Sequence, residues 1–470
     1  MQENFVCHLE SNARRFAGRA ALVWEGGSLA WSELDGLASG FAQYLSAKGV
    51  GAGDRVAIVI PNRSDFAVAF LGVLKLGATP APLNPLLKRE ELAAFTEDLK
   101  PRMIVDDAKV EPGVWDTPTH SNAPALILYT SGSTGRPKGA VFSHGALTFA
   151  NRSWGEPVMG LSPDDRVLAA LPLAHSLGLN GGLLAPLLLG ATVALVERFS
   201  PEAVFDAIQK HRVTVCPGVA TIFRRLLNSP AFPSVDFSSL RVAVSGAAPC
   251  PWELAVEWRE KTATRIVRGY GMTELFRPIS YSADDPTDIP DAVGKPVPGV
   301  EICIVENGEV KSRGDTGELL IKSPAAMDSY LGDDEETQAV LENGWFKTGD
   351  IANVSPAGYV RIVGRKRDRI LRGGYSIFPQ EVEAVLLSHP AVAEAAVVGV
   401  PSPDLGEEVA AFVSLKPMTR VTTEELLDHC KERLARFKYP RQVNVLKELP
   451  KGPTGKILKS ELAREPSYSR

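Results

Sequence analysis

Between residues 166 and 269 the chain repeats one pattern: a short apolar run, a polar turn, then a stretch with helical spacing. The runs at 166–170, 192–196, 213–216, 241–245 and 265–269 have the length and apolar content of buried strands. The stretches at 201–211, 220–228 and 252–261 carry the helical period. Parallel strands need a crossover long enough to hold a helix, so this alternation predicts βαβ units around a parallel sheet. The N-terminal part follows suit. A hairpin at 22–31 turns at Glu25-Gly26-Gly27, and a helix to Lys48 puts Leu34, Leu37, Phe41 and Leu45 on one stripe. Ser32 is its expected N-cap. A strand at 55–60, a helix at 65–76 and a strand at 103–105 come next. In open parallel sheets ligands collect at the carboxyl ends of strands. The turns 131–139, 246–249 and 271–274 are expected at such ends.

After an acidic loop at 284–291 the pattern changes. Runs at 301–305, 317–321 and 354–363 predict short antiparallel strands, and 364–369 reads as a charged joint. Beyond it come a helix at 379–388, strands at 392–400 and 409–415, a helix at 423–437 with Leu426, Leu427, Cys430 and Leu434 on one stripe, and a strand at 442–446. A chain of 470 residues exceeds one ordinary core. The expectation is an α/β protein. A large N-terminal domain of parallel-type βαβ sheets with a small antiparallel subdomain, residues 1–366, is hinged to a small α+β C-terminal domain, residues 367–470. The apolar stretch 177–196 is interrupted by Asn180, Pro186 and four glycines. It predicts a buried helix, a turn at Gly190 and a strand at 192–196, not a membrane span.

A net charge of −5 argues against a nucleic-acid binder, which would carry a basic face. Cys7, Cys216, Cys250, Cys303 and Cys430 are scattered, without C-x-x-C or ligand spacing, so no disulfide framework or zinc site is expected. The first eighteen residues lack the apolar core of a secretory leader, and a cytoplasmic location is expected.

Residues 129–139 read Y-T-S-G-S-T-G-R-P-K-G. Gly132, Gly135 and Gly139 permit close backbone approach, Ser131, Ser133 and Thr134 bring hydroxyls, and Lys138 brings a cation. Bare amides, hydroxyls and one mobile charge suit a polyphosphate. The spacing is not that of a Walker A loop.

This loop resembles the signature of the adenylate-forming superfamily, which includes acyl-CoA synthetases, peptide-synthetase adenylation domains and luciferases. Further motifs follow in the family's order: L-P-L-A-H-S-L at 171–177, S-G-A-A-P at 245–249, G-Y-G-M-T-E at 269–274, W-F-K-T-G-D at 345–350, G-R-K-R-D at 364–368, G-G-Y-S-I-F-P-Q-E-V at 373–382 and P-T-G-K at 453–456. The resemblance runs from about residue 27 to residue 462.

The resemblance implies an AMP-forming acid–CoA ligase using ATP, Mg²⁺ and coenzyme A. It assigns the nucleotide to Thr130, Ser131, Gly132, Ser133, Thr134, Gly135, Lys138, Gly246, Ala247, Ala248, Gly269, Tyr270, Gly271, Met272 and Thr273, with Asp350 and Arg365 at the ribose. Thr134 and Glu274 would hold Mg²⁺, Thr273 would contact the α-phosphate and Lys138 would track the outer phosphates. Lys456 would bridge carboxylate and α-phosphate, and His175 would gate the passage between acid and thiol. Asp350, following a glycine, is expected in a turn. Rotation about Arg367 would then remove Lys456 and bring in Gly373, Gly374 and Tyr375 for CoA. Arg367 departs from the Asp or Lys usual there.

Much of the expected acyl lining, within 175–182, 246–249 and 269–276, is small or apolar, and Glu274 is its sole acidic residue. An amino acid is disfavoured, and an aliphatic or aromatic monocarboxylate is preferred. Arg268 and Arg277 keep open a dicarboxylate-CoA ligase of the malonyl-CoA synthetase type. A stand-alone ligase that loads an acyl carrier protein also stays open, as does a non-catalytic nucleotide binder. The sequence leaves the oligomeric state open.

Overall fold

The apolar runs of the central alternation assemble edge to edge. A nine-stranded sheet runs in the order Lys295–Pro296, Phe276–Ser280, Arg265–Met272, Val242–Ser245, Val215–Gly218, Arg166–Ala169, Thr192–Leu195, Ala20–Trp24 and Gly27–Ala30. From Arg265–Met272 to Ala20–Trp24 the neighbours are parallel, and antiparallel strands close both edges. Helices Pro201–His211, Ala220–Leu227 and Trp252–Thr262 are crossovers between them. Strands under such helices are buried throughout, which is why their sequences read as continuous apolar runs. An aromatic cluster anchors this core: the fully buried Trp258 has Phe223, Phe232 and Phe237 with ring centroids 5.0, 6.1 and 5.9 Å away.

The structure, a computed structural model, describes residues 2–131, 137–285, 287–372, 375–451 and 457–463. They form two compact units, Met1–Ile302 with Ile321–Phe346, and Cys303–Leu320 with Lys347–Arg470. Besides the large sheet, the first unit holds a parallel sheet of Thr79–Pro82, Arg55–Ile58 and Met103–Val105. It also holds an antiparallel sheet of Ser329–Tyr330, Pro137–Phe142 and Leu126–Ser131. In the second unit Ile370–Arg372, Tyr375–Ile377, Gly406–Leu415 and Val392–Ser402 form a sheet, with Gln442–Leu446 parallel to Gly406–Leu415. Helices Pro379–Leu387 and Thr423–Arg433 pack on it through Val382, Leu386, Leu426 and Cys430. Among the described residues no helix is long and apolar enough to cross a membrane.

Four local expectations need correction. The signature loop does not follow a parallel strand. Leu126–Ser131 pairs antiparallel with Pro137–Phe142, so residues 132–136 join the arms of a hairpin. An apolar run gives no sign of its partner's direction. Asp350 is not in a turn; it lies inside the strand Trp345–Val354, opposite Arg365 of Val360–Arg365. The run expected as one strand at 354–363 is broken at Gly358, which takes a positive φ of 86°. The helix Trp31–Ala47 is capped by Ala30, whose N–H donates to Glu33 at 2.7 Å, while the Ser32 hydroxyl donates to the Ala17 carbonyl. Helices Phe5–Arg15 and Arg89–Leu99 went unforeseen; the second buries only Leu99, so its period is faint.

Candidate active site

The hairpin places Lys138 opposite Thr130 on a paired strand. Its ammonium is not adrift: Nζ lies 2.7 Å from Oε2 of Glu336 and 5.4 Å from the ring centroid of Tyr330. Tyr330 sits on Ser329–Tyr330, the strand added to the outer side of the hairpin. At its other end the Tyr330 hydroxyl donates to Oε1 of Glu274 at 2.8 Å. Burial, and next the Glu274 carboxylate, raises the tyrosine's pKa, so the hydroxyl stays protonated and keeps donating. The backbone fixes the arrangement, since Met327 N–H donates to the Glu274 carbonyl at 2.8 Å and Leu331 N–H to the Gly139 carbonyl at 2.7 Å. One tyrosine thus joins the lysine of the phosphate-type hairpin to the buried carboxylate of the G-Y-G-M-T-E motif.

Glu274 owes its position to a change of strand partner. Arg265–Met272 is parallel to Val242–Ser245 up to Arg268, then antiparallel to Phe276–Ser280 from Gly269. A single turn, Thr273–Leu275, reverses the chain. The reversal is tight: a Cβ on Gly271 would lie 1.9 Å from the Phe276 carbonyl oxygen, so only glycine fits. Phe276 itself takes a φ of 54°, a strained value for a bulky residue, and its ring packs on Phe142 with centroids 4.6 Å apart. Thr273, Tyr270, Gly271 and Met272 are half-buried here. Gly246, Ala247 and Ala248 follow the neighbouring parallel strand Val242–Ser245, where Ala247 has a φ of 62°.

The two arginines flanking the motif have different surroundings. Arg268 is ion-paired to Asp288 at 2.5 Å, donates to the Ile289 carbonyl, and lies over Trp252 and Tyr281. Arg277 is equally buried, and its hydrogen-bond acceptors among the described residues are all neutral. It donates to the Ser245 carbonyl at 2.8 Å, Ser280 Oγ at 2.9 Å and the Val267 carbonyl at 3.1 Å. Its guanidinium lies over Trp154, 4.9 Å from the centroid. Burial pulls its pKa down to about 9, which leaves it a cation at neutral pH.

The acyl-type segment runs over an exposed His175 into π-helical turns, Gly178–Leu184. Such turns are frequent at functional sites. A Cβ on Gly181 would lie 3.1 Å from the Trp154 ring, so this wall also closes on Trp154. Asn180 is fully buried, and neither atom of its amide has a partner among the described residues. An unsatisfied buried amide costs about 1–3 kcal/mol per group.

In the second unit Arg365 Nε lies 2.8 Å from Oδ1 of the buried Asp350, so the two ribose candidates meet. Arg367 is exposed and 3.5 Å from Asp368, in the turn Lys366–Asp368. Tyr375 is exposed and stacks on Phe437 at 4.5 Å. Gly132, Ser133, Thr134, Gly135, Gly373, Gly374 and Lys456 lie outside the described residues, as does the side chain of Ser131. Sequence reasoning missed Trp154, Tyr330 and Glu336. None stands in a motif, and each reaches the site from an element distant along the chain.

Among the described residues no three His, Cys, Asp or Glu side chains cluster as a metal site. Glu274 offers a hard-oxygen donor, with Oε1 engaged by Tyr330. That suits Mg²⁺, which takes one or two carboxylates and completes its shell with phosphate and water.

Comparison with known proteins gives consistent matches. The model of the AMP-binding enzyme family matches residues 9–115 and 106–331, and that of the AMP-binding enzyme C-terminal domain matches 381–456. A feruloyl-CoA synthase of Amycolatopsis sp is 35% identical over 482 residues, covering 96% of each chain. The crystal structure of ATP-bound MatB from Rhodopseudomonas palustris superposes with a TM-score of 0.90 at 29% identity, covering 98% of each chain. The o-succinylbenzoate CoA synthetase of Bacillus subtilis, in complex with its acyl-adenylate intermediate, gives a TM-score of 0.88 at 32% identity. It covers 99% of this chain and 98% of its own.

Proposed function

The chain belongs to the AMP-binding enzyme family and is an AMP-forming acid–CoA ligase using ATP, Mg²⁺ and CoA; from this we propose how its residues divide the work. A carboxylate oxygen attacks the α-phosphorus of ATP, pyrophosphate leaves, and the acid becomes an acyl-adenylate. The CoA thiol then attacks the acyl carbon, and AMP leaves with the oxygen that made the attack.

The first step brings two anions together, so it needs fixed positive charge and donors. Lys138 takes the outer phosphates, exchanging Glu336 for them, and Thr273 takes the α-phosphate. Glu274, with Thr134, would hold Mg²⁺, and Tyr330 fixes the carboxylate by donating to Oε1. The ion, when bound, neutralises phosphate charge as a Lewis acid. Tyr270 lies against adenine beside Gly246, Ala247 and Ala248, and Asp350, oriented by Arg365, accepts from the ribose hydroxyls. Lys456 supplies the last cation at the reacting oxygen. A turn about Arg367 between the domains 1–366 and 367–470 withdraws it, and Gly373, Gly374 and Tyr375 receive the pantetheine arm while His175 opens its path. The acceptor is free CoA rather than a carrier protein. The five cysteines are unpaired, which fits a cytoplasmic location.

The observation that carries this reading is the Tyr330 bridge: Lys138 and Glu274, 136 positions apart (274 − 138), meet the ring face and the hydroxyl of one side chain. Pyrophosphate release across a panel of carboxylic acids, with CoA or a carrier protein as acceptor, tests it. Lys456→Ala is expected to lower acyl-adenylate formation by about 10²–10³-fold, the scale for losing one transition-state charge contact. Undiminished formation would refute the assignment.

A further inference from the structure

Arg277 has no task in the chemistry above, yet it lies where the acyl segments meet. A Cβ on Gly269 would fall 2.4 Å from its guanidinium carbon, and one on Gly246 would fall 3.0 Å from an Nη and 3.4 Å from Leu177. The G-Y-G-M-T-E motif, the S-G-A-A-P turn and the L-P-L-A-H-S-L segment therefore all touch or adjoin this one group. Trp154 covers its face, and Gly181 of the π-helical wall packs on the same indole.

The charge of Arg277 is uncompensated. Arg268, on the paired strand, has Asp288 at 2.5 Å. Arg277 has two carbonyls, one hydroxyl and an aromatic face, and no carboxylate among the described residues ion-pairs with it. A guanidinium carries five N–H groups, and three are engaged here. Buried cations are normally paired with an anion, because an unpaired one loses its hydration with no return. Asn180, in the same wall as Gly181, is buried with no hydrogen-bond partner for either amide atom among the described residues.

We propose that Arg277 is a specificity residue that receives a second carboxylate on the acid being adenylated. The substrate class is then a dicarboxylic acid with an apolar aliphatic or aromatic body: one carboxylate is activated, the other pairs with Arg277 and the body lies along Leu177 and Trp154. The inference rests on the ligase reading. It chooses between the two flanking arginines, since Arg268 is already neutralised by Asp288.

The test measures pyrophosphate release with matched acids: hexanoate and adipate, octanoate and suberate, 3-phenylpropanoate and 3-(2-carboxyphenyl)propanoate. In the wild-type enzyme at least one diacid is expected to exceed its monoacid partner tenfold or more in kcat/KM. Arg277→Met is expected to lower that diacid-to-monoacid ratio by about a hundredfold or more, a part of the roughly 10⁴-fold discrimination that a site built around a polar partner reaches. Arg277→Lys retains part of the ratio, because it keeps the charge but loses the fork. The inference is overturned if every diacid is slower than its monoacid in the wild type, or if Arg277→Met leaves the ratio unchanged. The wild-type comparison needs no variant, so poor folding of Arg277→Met leaves the test standing. Turnover of monoacids alone would overturn the inference and leave the ligase reading intact, whereas no pyrophosphate release from any acid would overturn both.

Discussion

Tyr330→Phe removes one oxygen and tests the centre of the site. The deleted hydroxyl donates to Glu274 Oε1 at 2.8 Å, and Glu274 is 7% exposed, so little water can replace the lost donor. A hydrogen bond to a charged group contributes about 1.5–3 kcal/mol net. At 1.4 kcal/mol per decade that corresponds to about 10- to 150-fold. Residues that orient a metal ligand give about 10- to 100-fold losses in metal affinity or activity when changed. The ring remains, so the face under Lys138, 5.4 Å from Nζ, is kept. The expected result is about a 10- to 100-fold rise in the Mg²⁺ concentration that half-activates pyrophosphate release. Mn²⁺ binding to the enzyme–ATP complex, followed by electron paramagnetic resonance, should weaken in parallel. The folded state should lose about 1–3 kcal/mol in urea, since one carboxylate oxygen is left short of a donor. A Mg²⁺ requirement within twofold of wild type, in a variant that still folds, would show that Tyr330 does not orient Glu274.

Other outcomes follow from the same geometry. Glu336→Gln frees Lys138 from its 2.7 Å partner. Because Glu336 is partly exposed the pair contributes under about 1 kcal/mol, so KM for ATP should fall about two- to fivefold at low salt and by less at high salt; a rise would contradict the exchange of Glu336 for phosphate. His144 is buried with Nδ1 accepting from the Phe5 N–H at 3.1 Å, and burial lowers its pKa to about 4. Its unfolded value is about 6.5, so between about pH 6.5 and 4 the unfolded chain binds the proton and the folded chain does not. Its contribution to stability is therefore complete above about pH 6.5 and is lost as the pH falls towards about 4. The loss is about 3 kcal/mol by linkage. Thermal melts of wild type and His144→Asn over that range check this, and equal slopes for the two proteins would refute it.

The sequence by itself determined the fold class. Strands buried under helices must be apolar along their length, and helices crossing over them must be amphipathic, so the runs from residue 166 to residue 269 announce βαβ units in local composition alone. Gly271 was legible for a related reason: a hairpin that admits no Cβ is written as glycine. The family resemblance singled out Glu274, Lys138, Asp350 and Arg365, and each stands next to a backbone turn or on a strand pair. Strand direction and partnership were decided only in three dimensions. The arms of the signature hairpin, and Asp350 opposite Arg365, depend on hydrogen bonds between segments whose side-chain pattern is the same in either orientation. Tyr330, Glu336 and Trp154 belong to the same class. They stand in the chain as ordinary surface or core residues, and their roles arise where packing brings them against a distant charge. The tertiary structure also separated Arg268 from Arg277: a carboxylate from a later loop neutralises one and leaves the other a buried cation, because pairing of charge is set by distance in space.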